Sequence, residues 1–307
     1  MNPYTYSGDS IQYNMNLIET KPYWLRYAIT FPSARPTRYE ENNTVRGEYF
    51  QLRGVSPAPL VILLHGMGDR SVAPCRLLAR ALLKRGIACF ILYLVFHSSR
   101  MPEAVKDRLH NLTPDEWFES YRTSVVDVCQ VIDWAAGRRE IDDERIALIG
   151  ISFGGFISAI TMGIDERIKA GIFLVMGGNS EKLMWLARSR AMKVGYDRSE
   201  AEYNEILASY ARYLEEVVEK GFEEVTPPRR NFINDPMTFA HYLRNRSVMM
   251  LNAYWDEAIP RQAAREFWEA CGRPPITWFP ATHPTIWLWY PLIRWKIAGF
   301  LRSALGV

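Results

Sequence analysis

The stretch Arg145–Gly155, RIALIGISFGG, constrains the fold more than any other part of the chain. An apolar run of buried-strand type, Ile146 to Ile149, ends in Gly150, Ile151, Ser152, Phe153 and Gly154, after which Phe156, Ile157 and Ile160 recur at helical spacing. A strand that reverses sharply into a helix needs residues without bulk two before and two after the turning point. Gly150 and Gly154 meet that demand. Such a turn lifts the Ser152 hydroxyl clear of the sheet and aims the Phe153 N–H, with the start of the next helix, at an incoming carbonyl oxygen. A G-x-S-x-G match fixes only three positions and also arises by chance. The strand before it and the helix after it give it weight here.

The surrounding pattern predicts an α/β fold with a doubly wound, mostly parallel sheet. Leu60 to Leu64 and Ile87 to Val95 read as buried strands, and Ser71 to Arg85 between them reads as a helix ended by Gly86. Thr113, Pro114 and Glu116 form a capping box with proline in the first turn. Tyr121, Val125, Val128, Ile132 and Ala135 then make one apolar stripe to about Gly137. Strands follow at Ala170 to Val175, Ser247 to Leu251 and Ile276 to Phe279, with a helix at Pro260 to Cys271.

Two regions fall outside this alternation. Residues 1–54 contain β-rich segments, Trp24 to Phe31 and Val45 to Leu52, and are expected to extend the sheet as an antiparallel edge. Residues 179–228 carry a second capping box, Ser199 with Glu202, and a helix face of Ile206, Tyr210, Tyr213 and Val217. They are expected to form a helical cap inserted into a core of residues 55–178 and 229–307. No internal repeat or low-complexity tract is present.

Composition excludes several classes. With 48% hydrophobic and 23% charged residues the chain is neither disordered nor fibrous. Its 37 basic and 34 acidic residues are dispersed, without basic runs interleaved with aromatics, so no nucleic-acid partner is expected. Cys75, Cys89, Cys129 and Cys271 lie far apart with no C-x-x-C pair, which reads as buried free thiols in a reducing compartment rather than a metal or redox site. The first residues do not look like a signal peptide and no apolar run approaches a bilayer span. A cytoplasmic protein without a membrane partner is expected.

A serine hydroxyl needs a base to take its proton and a carboxylate to orient that base. Of the five histidines, His283 in FPATHPTI lies just past the last predicted strand, and Asp256 in NAYWDEAIP lies just past the strand before it. Both fall on the edge of the sheet that carries Ser152, in the order serine, aspartate, histidine. Glu257 is the adjacent rival carboxylate.

On these residues the chain resembles the α/β-hydrolase superfamily, in particular its dienelactone-hydrolase-like and prolyl-oligopeptidase-like serine hydrolases, over roughly Val45 to the C-terminus. In that superfamily an apolar strand runs into an HG dipeptide, here Leu63, Leu64, His65, Gly66, Met67 and Gly68. The residue after the dipeptide gives a second oxyanion N–H, and the resemblance assigns this to Met67. The acid loop commonly reads D-x-x-V/I-P. Asp256, Ala258, Ile259 and Pro260 fit it with one extra residue, and Thr282 stands where glycine often precedes the histidine.

The resemblance implies a serine hydrolase of carboxylesterase type acting on a small ester or acyl substrate, with Ser152, Asp256 and His283 catalytic, Met67 and Phe153 as oxyanion donors, and no metal or organic cofactor. An acyl-peptidase or thioesterase is the close rival; the region before residue 55 is too short for the propeller that such peptidases often carry. A ligand-binding relative without turnover, and lyase or perhydrolase chemistry on the same residues, are the alternatives from other classes.

Other residues have simpler readings. His65 is expected to brace the oxyanion loop. His97 and Arg100 are expected on a solvated loop, although a contact with substrate is open to them. Asp69 and Arg70 read as structural. Met184, Trp185 and Leu186 fit an apolar lid or the cap's own core, and Trp287, Trp289, Tyr290 and Trp295 are expected to pack the C-terminal helix, with Ile293, Ile297 and Phe300 on its inner face.

Overall fold

A computed structural model describes residues 2–8, 11–54, 57–67 and 72–307. The chain begins with three strands, β1 (Asn14–Thr20), β2 (Trp24–Pro32) and β3 (Thr44–Leu52), and then alternates. The order is β4 (Ala58–Leu64), α1 (Ala73–Leu83), β5 (Ala88–Tyr93), α2 (Glu103–Lys106), α3 (Pro114–Ala136), β6 (Ile141–Ile151), α4 (Phe153–Ile164) and β7 (Ile168–Leu174). Then come α5 (Ser180–Leu186), α6 (Glu200–Lys220), α7 (Pro236–Phe239), β8 (Ser247–Ala253), α8 (Arg261–Ala270), β9 (Ile276–Phe279) and α9 (Tyr290–Leu305).

The nine strands form one sheet in the order β1-β2-β3-β5-β4-β6-β7-β8-β9. The six strands from β5 to β9 are mutually parallel, whereas β1, β2 and β3 pair antiparallel with their neighbours, β3 against β5. The expected antiparallel edge is therefore present, with one more strand, β1, than the sequence announces. The parallel strands are buried on both faces: all seven residues of β4 are buried, because helices cover both sides.

Strand order reverses at β4, which has β5 on one side and β6 on the other. In open α/β sheets this reversal leaves a crevice beyond the carboxyl ends of the strands. Both expected capping boxes form: Thr113 with Glu116 starts α3 and Ser199 with Glu202 starts α6. In α6, Tyr203, Ile206, Tyr210, Tyr213 and Val217 are buried along one face, and the Tyr210 and Tyr213 rings lie against Phe232. Trp185 of α5 stacks on Tyr203 at 4.4 Å, so this tryptophan belongs to the packing between α5 and α6. No helix among the described residues is long and apolar enough to cross a membrane.

Candidate active site

Ser152 follows β6 and precedes α4 with φ 52° and ψ −114°, a conformation that side-chain-bearing residues rarely adopt. The flanking glycines explain how the chain tolerates it. A Cβ on Gly150 would lie 2.2 Å from the Gly154 carbonyl oxygen, and one on Gly154 would lie 2.4 Å from the Leu64 carbonyl oxygen. The turn is pinned on both sides: Ser152 N–H donates to Leu174 O at 2.8 Å, and Gly154 N–H donates to His65 O at 3.1 Å. Serine at a helix start ordinarily accepts from the first turn, but the Ser152 side chain makes no such bond. Among the described residues no hydrogen bond holds the hydroxyl of half-buried Ser152. Phe153 opens α4, where an N–H has no carbonyl within its own helix. Its ring is buried among His97, Trp117 and Tyr121, with centroids 5.1 to 6.4 Å away.

His283 and Asp256 are in contact. The imidazole Nδ1 lies 2.8 Å from Asp256 Oδ2 and 3.0 Å from Oδ1. Asp256 Oδ1 also accepts from the N–H groups of Ala258 and Ile259, at 2.9 and 2.8 Å. Three donors thus hold one carboxylate that is almost fully buried, beside an imidazole that is partly exposed. Glu257 turns elsewhere: its carboxylate accepts the His283 backbone N–H at 3.3 Å, and its carbonyl accepts from Arg188 and Ser189 beyond α5. The loops after β8 and β9 are joined by Tyr254 N–H to Phe279 O and Trp255 N–H to Ala281 O. The Thr285 hydroxyl accepts from Thr282 N–H at 2.8 Å and braces the histidine loop. Ser152, Asp256 and His283 follow β6, β8 and β9 on the same edge of the parallel sheet. No hydrogen bond joins Ser152 to His283 among the described residues.

The chain leaving β4 lies against the start of α4, through His65 O and Gly154 N–H, and leads into half-buried Met67. His65 is completely buried. Its Nδ1–H donates to Gly66 O at 2.9 Å and its Nε2 accepts from Leu94 N–H at 3.1 Å, tying the loop after β4 to the end of β5. Burial pushes its pKa down to about 4, so the ring is neutral and both nitrogens have fixed roles. Gly68, Asp69 and Arg70 lie outside the described residues.

His97 and Arg100 are not on a solvated loop. Both are buried, His97 at 1% exposure and Arg100 at 0%. Arg100 pairs with Asp127 of α3 at 2.8 Å and donates to the carbonyls of Tyr93 and Asn42. Burial pushes the Asp127 carboxyl up, and Arg100 and the Ser33 hydroxyl, 2.6 Å from Oδ1, pull it back. His97 Nδ1–H donates to Val95 O at 2.6 Å, while its Nε2 has no partner among the described residues. The loop carries an ion pair whose second member sits a helix away, which local sequence does not reveal. Trp295 also departs from expectation: Trp289 lies 5.9 Å from Phe279, but Trp295 is 66% exposed and packs nothing inward. Among the described residues no group of three or more His, Cys, Asp or Glu side chains is placed to hold a metal ion. All four cysteines are buried, and none is in a disulfide with another described residue.

Residues 59–269 match the alpha/beta hydrolase fold family, more than half of the chain, and the chain belongs to that family. Among solved structures it is similar to an acetyl xylan esterase from Paenibacillus sp. R4, with TM-score 0.69 and 18% identity over 97% of this chain and 90% of the other. It is also similar to acetyl xylan esterase 1 from Thermoanaerobacterium sp. JW/SL YS485, with TM-score 0.63 and 13% identity over 95% and 88%. A cold-adapted esterase from an Arctic intertidal metagenomic library gives TM-score 0.60 and 16% identity over 95% and 99%. At such identities the likeness is one of fold. No curated protein matches the chain.

Proposed function

We propose that the chain is a serine hydrolase that cleaves carboxylic esters through an acyl-enzyme. Ser152 is the nucleophile, His283 the general base and then acid, and Asp256 the carboxylate that fixes the imidazole tautomer and stabilises the imidazolium. The observation that carries this reading is the pairing of a serine hydroxyl held in strained backbone, uncommitted to its own helix, with an Asp256-anchored imidazole on the same sheet edge. The serine–imidazole hydrogen bond then forms on substrate binding. The N–H groups of Phe153 and Met67 receive the developing oxyanion, each worth about 3 kcal/mol of barrier. The acyl carbon passes from the alcohol oxygen to Ser152 Oγ, and His283 hands the serine proton to the leaving alcohol; water then attacks the acyl carbon while His283 takes its proton and returns it to Ser152 Oγ, so that the bond to serine breaks and the carboxylic acid leaves.

Helices α5 and α6 are assigned as the cap over this edge, with residues 1–54 as the sheet extension. The bonds from Arg188 and Ser189 to the Glu257 carbonyl support a cap that leans on the acid loop. The two neighbours named acetyl xylan esterase favour a short acyl group. Intact-mass analysis after exposure to a fluorophosphonate, with Ser152→Ala as control, tests the reading. A p-nitrophenyl ester series from acetate to decanoate run beside a thioester and an aminoacyl anilide tests the bond. Labelling lost in the mutant, with turnover best on short esters, is expected; folded protein that neither labels nor turns over is a binding relative instead.

A further inference from the structure

Helix α9 has two apolar faces. Ile293, Ile297, Leu301 and Leu305 are buried, which suffices to dock the helix on the sheet. Leu292 and Trp295 lie on the opposite side at helical spacing and are exposed, and Leu288 just before the helix is 82% exposed. Leu77 of α1 continues this surface, joined to it by the Tyr290 hydroxyl, which donates to Leu77 O at 2.8 Å. A groove of about 500 Å³ runs between α1 and α9, lined by Leu292 and Trp295 on one side and Leu78 and Leu82 on the other.

The charge around it has one sign. Lys84, Arg85 and Arg294 line the groove and are exposed, Arg80 is exposed on the same helix α1, and none has a carboxylate partner among the described residues. Neither helix contains an Asp or Glu, and the sequence has none between Asp69 and Glu103 or after Glu269. Contiguous apolar side chains with a wholly basic rim call for an occupant that is apolar inside and anionic at its surface.

We propose that the α1–α9 face docks on an anionic lipid membrane, with Leu77, Leu288, Leu292 and Trp295 entering the boundary between headgroups and acyl chains and the arginines and lysine facing lipid phosphates. A second copy of the chain is a poorer occupant, because a two-fold contact of this face with itself brings the two basic rims together. The expectation of no membrane partner rested on the lack of a spanning segment, and docking at the surface requires none.

Co-sedimentation with vesicles tests this. Binding is expected to phosphatidylcholine vesicles containing one part in three phosphatidylglycerol, with a blue shift of tryptophan emission, little binding to pure phosphatidylcholine, and release in molar salt. Replacing Lys84, Arg85 and Arg294 together by Gln should weaken partition about a hundredfold, roughly fivefold per charge. Leu292→Ser and Trp295→Ser should each weaken it about tenfold, and unchanged thermal melting separates lost docking from lost folding. No binding to the anionic vesicles, or binding that these variants leave unchanged, overturns the proposal. So does a concentration-dependent dimer in sedimentation velocity that the same variants dissolve, since a second copy would then own the face.

Discussion

Replacing Gly154 by alanine isolates the contact on which the site's geometry depends. The added Cβ would stand 2.4 Å from Leu64 O, 2.6 Å from Leu64 C and 2.7 Å from His65 O, all backbone atoms, whereas ordinary contact begins at 3.4 Å. The start of α4 and the end of β4 must therefore separate by about 1 Å. Crowding of this kind typically costs about 1–3 kcal/mol, so the melting temperature should fall by several degrees. The same movement lengthens the 3.1 Å bond from Gly154 N–H to His65 O, which sets the chain bearing Met67 against the turn bearing Phe153. A displacement near 1 Å is worth about a hundredfold in rate when it separates groups that act on one atom.

The assay is turnover of p-nitrophenyl acetate together with thermal melting. Two other glycines calibrate it. A Cβ on Gly155 meets Met176 Cβ and Cγ at 3.0 Å and Gly150 O at 3.4 Å, all looser than the backbone contacts at Gly154, and one on Gly299 meets nothing within 4 Å. Gly155→Ala should lose less than Gly154→Ala in both measures, and Gly299→Ala in α9 should stabilise by about 0.5–1 kcal/mol with turnover intact. A Gly154→Ala protein that melts and turns over like the parent would refute the close-approach argument.

Asp256→Asn should lower turnover by about four orders of magnitude, since the wrong histidine tautomer disables the base, while Glu257→Gln should stay within about tenfold; equal losses would mean that the acid is shared. Arg100→Met and Asp127→Leu should each cost about 3–5 kcal/mol in urea unfolding because each leaves a buried charge alone, and the double variant should recover most of that loss. His65 is neutral in the folded chain down to about pH 4, whereas in the unfolded chain it takes up a proton below its ordinary pKa of 6.5. Its contribution to stability is therefore complete above pH 6.5 and is lost as pH falls toward 4, by about 3 kcal/mol; His65→Gln should flatten that part of the stability curve, and an unchanged slope would remove His65 as its source.

The parallel core was legible because its signals are local. β4 is an unbroken apolar run, and α3 and α6 announce themselves by capping boxes whose partners are three residues apart. Asp256 and His283 were legible because chain order and strand ends limit where such residues can sit. β1 was not: NMNLIET is largely exposed, without alternation, and is a strand only because its backbone pairs with β2. Arg100 reads as a solvated loop residue until Asp127 is seen beneath it, since nothing in local sequence says which distant carboxylate will arrive. Trp295 follows the spacing of an exposed stripe, yet aromatic content alone suggests a core residue.

Buried polar side chains serve a common purpose at the carboxyl edge of the sheet. Six non-glycine residues among those described have positive φ, and five of them, Phe96, Ser98, Ser152, Val175 and Asn179, follow β5, β6 or β7 at that edge. Each such conformation costs on the order of 1–3 kcal/mol, together comparable to the whole net stability of an ordinary domain. They persist because buried side chains take up the backbone groups that the ladders release as the strands end. Asn42 accepts from Phe96 N–H, His65 accepts from Leu94 N–H, Asn252 both donates to and accepts from the backbone of Met176, and Asp235 accepts from Asn179 N–H. Because each of these bonds is buried, loosening one loop exposes an unsatisfied polar group on its neighbour, so the loops hold position as a set. A turn as strained as that at Ser152 can then hold its position although no hydrogen bond to its hydroxyl is made among the described residues.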